Sequence, residues 1–121
     1  MFPNEMKTIE DFQAFHRWLD EKNHFDPDIL FNMVLLSGEV GEVAQVLKKI
    51  RRQANLLRQE QESGEAMSAA LWQYREELGQ ELADCLAYIF KLANYAGIDL
   101  QEAYIDKMAE NVNRTWKTPN G

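Results

Sequence analysis

The chain is 121 residues long, 45% hydrophobic and 27% charged, a balance that excludes a disordered chain and is expected of one globular domain, residues 1–121, large enough to bury a core. Its net charge of −7 argues against a nucleic-acid polymer as partner, because phosphate contacts need a basic surface. No apolar run approaching the ~20 residues of a membrane span stands out, and the start MFPNEMKTIEDF lacks the basic and apolar regions of a secretory signal, so a cytoplasmic chain with no membrane partner is expected.

The first helix opens at Thr8, which with Asp11 reads as a capping box. Ile9, Phe12, Phe15, His16 and Leu19 then give an apolar face as far as about Lys22. Asp26-Pro27 reads as a cap followed by proline at the first helical position, which starts a second helix running to Glu62. Within it, Lys48-Lys49-Ile50-Arg51-Arg52 is a local basic cluster whose plain reading is a solvated helix face. Ser63-Gly64 reads as the break in the middle of the chain. A third helix is expected from Glu65 to Ala96, closed by Gly97 in a left-handed cap. It carries Cys85, the one cysteine, which can form no internal disulfide and reads as a buried thiol among apolar neighbours. Asp99 with Glu102 opens a fourth helix reaching about Trp116, and the TPNG end is expected to fray. The fold class is therefore all-α: a four-helix, bundle-like arrangement with a long central antiparallel helical hairpin.

The second helix contains an anomaly. In LLSGEVGEVAQVL, residues 35–47, the apolar side chains recur at helical spacing, yet Glu39 and Glu42 sit among them. At about 100° per residue, Glu39 lies within ~40° of Leu35, Val43, Val46 and Ile50, and Glu42 lies ~60° to one side. On the third helix Glu81 holds the same relation to Cys85, Tyr88 and Leu92, with Asp84 to its side. Folding the two helices back on each other pairs Glu39 with Asp84 and Glu42 with Glu81 at nearly one level. A single ExxE reads most plainly as two solvated side chains at the edge of a stripe. Two such pairs on apolar faces at matching heights point instead to convergence. Four converging carboxylates need protons, basic partners or a metal, because both desolvation and like charge oppose them. Oxygen donors of this kind suit hard cations, Mg²⁺ above all, with Mn²⁺ and Ca²⁺ as alternatives.

SGEVGEVAQVL followed by ELADCLAYIFKLANYAGIDLQEAYIDKMAENVNR resembles the MazG-like all-α nucleotide pyrophosphohydrolases over residues 30–117. The family is marked by ExxE on one helix, ExxD on the next and a Lys…Asn…Arg series on the last. The resemblance assigns the metal to Glu39, Glu42, Glu81 and Asp84, the catalytic role to Glu39 and Glu42, and substrate contacts to Lys107, Asn111 and Arg114. The last three stand four and then three residues apart, hence on one helix face, and suit phosphate and sugar contacts. Without an acidic site nearby, that face would read as merely solvated. Two departures are visible: the segment between Glu42 and Glu81 is longer than is usual for the family, and Gly38 stands where many relatives carry another glutamate.

The resemblance implies a Mg²⁺-dependent enzyme that cleaves nucleoside triphosphates to monophosphate and pyrophosphate for nucleotide-pool housecleaning, assembling as a homodimer or homotetramer. Among aromatic residues able to stack on a base, Trp18 on the first helix is singled out, although core packing is the ordinary role of each. A di-iron carboxylate bundle would need repeated Glu-x-x-His motifs, and only Glu21-x-x-His24 matches. The non-enzymatic alternative is a helical interaction protein with an idle acidic site, which Mg²⁺ would not stabilise.

Overall fold

The computed structural model describes residues 3–59 and 63–114, and every regular element among them is helical. A 3-10 turn at Pro3–Glu5 precedes α1 (Ile9–Asn23), α2 (Ile29–Leu57), α3 (Ser63–Gln73), α4 (Arg75–Tyr95) and α5 (Leu100–Val112). The chain divides into two compact units, one of Met1–Pro27 with Phe90–Gly121 and the other of Asp28–Ile89. Residues of α4 fall in both.

In the first unit, α1 begins with the expected capping box: the Thr8 hydroxyl accepts from the Asp11 amide at 3.0 Å and the Asp11 carboxylate accepts from the Thr8 amide at 3.1 Å. His24 ends the helix in the left-handed region, at φ 54°. The interior of this unit is polar as well as aromatic. Gln13, only 3% exposed, donates to the Asn94 side chain at 3.0 Å and the Ile98 carbonyl at 2.9 Å, and accepts from the Leu100 amide at 2.9 Å. One side chain thus ties α1 to the end of α4 and the start of α5. Phe12 and His16 lie against Phe90. Asp20 accepts from the Tyr95 hydroxyl and faces the buried Lys91 ammonium at 3.6 Å. Gly97 takes the expected left-handed conformation, φ 69°, and Asp99 caps α5 by accepting from the Glu102 amide at 3.1 Å. α5 ends at Val112 with Asn113 as its cap; the expected extension to Trp116 and the TPNG end lie outside the described residues.

In the second unit, the start of α2 falls two residues later than Asp26-Pro27 suggested. Asp28 is the cap, its carboxylate accepting from the Phe31 amide at 2.8 Å. The helix ends at Leu57, short of Glu62, and residues 60–62 lie outside the described ones. Ser63 and Gly64 open α3 rather than forming a break. The core gathers Val46, Ile50 and Ala54 of α2 with Ala70 of α3, and Met67, Tyr74 and Leu78 pack on it. Alanines at 54, 66 and 70, all fully buried, let α2 and α3 approach closely.

The single third helix expected from the sequence is two helices, interrupted at Tyr74. The Arg75 guanidinium donates to the Trp72 carbonyl at 2.8 Å and lies 3.7 Å over the Trp72 ring. It thereby occupies a carbonyl that an unbroken helix would offer to the backbone four residues on. By length and composition α2 could cross a membrane, which corrects the expectation that no run approaches that length. Glu39 and Glu42 fall in the middle of its apolar stretch.

Candidate metal site

The acidic site lies wholly within the second unit. Glu39 comes from α2, and Glu81 and Asp84 from α4, where three-residue spacing sets two carboxylates on neighbouring faces one turn apart. One carboxylate oxygen from each of the three lies within 4.8 Å of the others. Glu42, one turn along α2 from Glu39, stands outside this triad, yet its charge is the strongest like charge acting on Glu81. The four residues are less deeply placed than the apolar stripe suggested: Glu39 and Glu81 are half-buried, while Glu42 and Asp84 are exposed. The reason is that the buried core starts further along α2, at Val46, and around Glu39 the stripe is only half-covered, with Leu35 and Val43 half-buried.

No cation is paired with the triad among the described residues, and the consequence is electrostatic. Burial first, and then the like charges of Glu42, Asp84, Glu39 and Glu77, push the Glu81 carboxyl above its ordinary value. Burial followed by Glu39, Asp84 and Glu81 likewise raises the Cys85 thiol, which is half-buried rather than buried. Both effects favour the protonated thiol over the thiolate. Lys49 is spent elsewhere: its ammonium sits 2.6 Å from the Glu77 carboxylate, and this hydrogen bond holds its pKa up. The sequence reading placed Lys49 on a solvated face. The antiparallel register extended from Glu39 and Asp84 sets Tyr74 opposite Lys49, one turn from its actual partner Glu77.

The donor set fits a hard divalent cation. Oxygens around an octahedral Mg²⁺ sit at ~2.1 Å from the metal, hence about 3–4 Å from one another, so the observed triad needs only small side-chain rotations to close. All-carboxylate donors exclude a preference for soft metals.

The remaining expected site residues belong to the first unit. Lys107 is exposed, 3.5 Å from Glu110 on its own helix. Asn111 is half-buried, its amide nitrogen 3.9 Å from the Met108 sulfur, and its buried side-chain oxygen has no hydrogen-bond partner among the described residues. Arg114 is exposed just beyond the end of α5. Trp18 is exposed on α1, with the Lys22 ammonium 5.1 Å from the centre of its ring and Phe15 tilted beside it at 5.9 Å. The polar cluster of Asp20, Lys91 and Tyr95 had no sequence signal, because Asp20 on α1 lies far along the chain from Lys91 and Tyr95, which stand one turn apart on α4.

A family model described as the MazG nucleotide pyrophosphohydrolase domain matches residues 28–116. No curated protein and no solved structure matches the chain significantly.

Proposed function

We propose that this chain, which belongs to the MazG nucleotide pyrophosphohydrolase family, cleaves ribo- or deoxyribonucleoside triphosphates to the monophosphate and pyrophosphate, with Mg²⁺ as cofactor and Mn²⁺ as substitute. The observation that carries this reading is the convergence of Glu39, Glu81 and Asp84 from two helices of the matched region. Glu39, Glu42, Glu81 and Asp84 would hold the metal, which supplies charge neutralisation to the triphosphate and Lewis acidity at phosphorus. Glu39 or Glu42 takes the proton of the attacking water. The new P–O bond forms in line at the α-phosphorus as the bond to the β-phosphate oxygen breaks, and pyrophosphate departs. Lys107 and Arg114 are assigned to phosphate oxygens, as point charge and planar fork respectively. Asn111, whose side-chain oxygen lacks a donor, is suited to accept from a sugar hydroxyl, and Trp18 is assigned to the base.

The same reading treats residues 1–121 as one functional domain, acting in the cytoplasm on damaged or surplus nucleotides. It also expects a homodimer or homotetramer, supported by the exposed run of Ile29, Leu30, Phe31, Met33 and Val34 on α2. Pyrophosphate release from a panel of ordinary and modified NTPs and dNTPs with Mg²⁺ tests the proposal. Equal release by wild type and Glu42→Gln would remove the site from consideration.

A further inference from the structure

Beside the core of the second unit, α2 and α3 leave a groove of about 480 Å³ lined by Leu47, Lys48, Ile50, Arg51, Met67 and Leu71. Ile50 belongs to the core and Met67 packs on it, whereas Leu47 and Leu71 are 47% and 41% exposed. The groove is therefore an apolar trough continuous with the core and open to water. Lys48 and Arg51 stand one turn apart on the α2 side. Lys49 between them is paired with Glu77, but among the described residues neither Lys48 nor Arg51 has an ion pair or hydrogen bond. In a chain of net charge −7, two unengaged cations beside an open apolar trough select an anionic, apolar visitor.

The chain carries such a surface itself. None of the residues of α5 is buried. Ile105 and Val112 are 59% and 83% exposed and share one face with Ala109. Glu102, Asp106 and Glu110 recur every four residues on the adjoining face. At about 100° per residue, the Lys107, Asn111 and Arg114 face lies opposite Ile105, Ala109 and Val112, and only Glu110 of the acidic row is engaged by it, through Lys107 at 3.5 Å. Carboxylates one turn apart on α5 match cations one turn apart on α2, and an apolar helix edge laid in a trough between two helices is a recurring mode of recognition.

We propose that α5 of a second copy of this chain docks in the α2–α3 groove, with Ile105 over the Leu47–Leu71 trough and Glu102 and Asp106 against Lys48 and Arg51. Every copy carries both surfaces, so the contact is reciprocal in a closed pair or head-to-tail in a ring. It involves none of the acidic triad and stands whether or not the chain hydrolyses nucleotides.

The test is a charge swap read by sedimentation velocity. Lys48→Glu/Arg51→Glu and Glu102→Lys/Asp106→Lys are each expected to form a smaller assembly than wild type, with self-association weakened about tenfold, since exposed ion pairs count for up to about fivefold apiece and the swap adds like-charge repulsion. Mixing the two variants is expected to restore the contact. Raising the salt should weaken it in wild type. A disulfide between Leu71→Cys of one copy and Ile105→Cys of another, in a Cys85→Ser background, gives a second readout that needs no charge change. The proposal is overturned if wild type and both variants sediment alike, or if the folded variants fail to associate on mixing and no disulfide forms.

Discussion

Burial acts on Glu81 and His16 in opposite directions for one reason: it disfavours whichever form is charged. The Glu81 carboxyl is raised and then pushed further by four acidic neighbours. Glu81→Gln should therefore relieve repulsion and raise the metal-free thermal midpoint at neutral pH. It should also cut hydrolysis by more than the ~10- to 100-fold seen on removing even outer partners of a metal site. Calorimetry beside a pyrophosphate assay separates the two effects. His16 is lowered from 6.5 by burial and by Lys91, with Asp20 opposing. The fold favours the neutral ring, so its contribution to stability is present above pH 6.5 and lost as the pH falls below it, when the unfolded chain gains the proton first. Unfolding midpoints measured between neutral pH and pH 5 should fall for wild type, and less steeply for His16→Gln. Gln13 is a different case, since its amide serves three partners at once. Gln13→Leu strands them at roughly 1–3 kcal/mol per buried group, so urea unfolding should show a loss of at least about 2 kcal/mol.

At the scale of elements, short-range chemistry decided the boundaries. The Thr8 box and Asp99 were legible because an N-terminal cap needs only a side chain and an amide three residues away, and Gly97 because a left-handed helix end favours the residue without a Cβ. Asp26-Pro27 misled because Asp28, two residues on, offers the same carboxylate in a position to reach Phe31. Asp28→Ala should cost about 1 kcal/mol in equilibrium unfolding. The interruption at Tyr74 had no signal, because no glycine or proline marks it. It coincides with Arg75 reaching back to Trp72, a local choice between a backbone and a side-chain donor. The approach of Glu39 to Glu81 and Asp84 was legible, since helical periodicity fixes which residues share a face, whereas Glu42 was expected among them and stands outside the triad. The depth of the site was not legible, because periodicity says nothing about where along a helix a neighbour stops covering it.

For the whole molecule, Mg²⁺ should raise the thermal midpoint if it binds the folded triad and not the unfolded chain. At a hundred times its dissociation constant the gain is about 2.7 kcal/mol, and Glu39→Gln/Asp84→Asn should abolish it. A Mg²⁺-independent midpoint would favour an idle acidic site on a helical scaffold. Trp18 and Trp72 belong to different units, so fluorescence from Trp72→Phe/Trp116→Phe and Trp18→Phe/Trp116→Phe variants, each keeping one tryptophan of the three, reports each separately; coincident melts are expected of one domain.

The interruption at Tyr74 bears on how such chains can change over generations. Because α4 begins afresh at Arg75, residues added to or deleted from the tip of the hairpin need not rotate Glu81 and Asp84 away from Glu39, as they would in an uninterrupted rod. The distal arm is thus free to be lengthened, trimmed or exchanged while the chemistry at its base keeps its alignment.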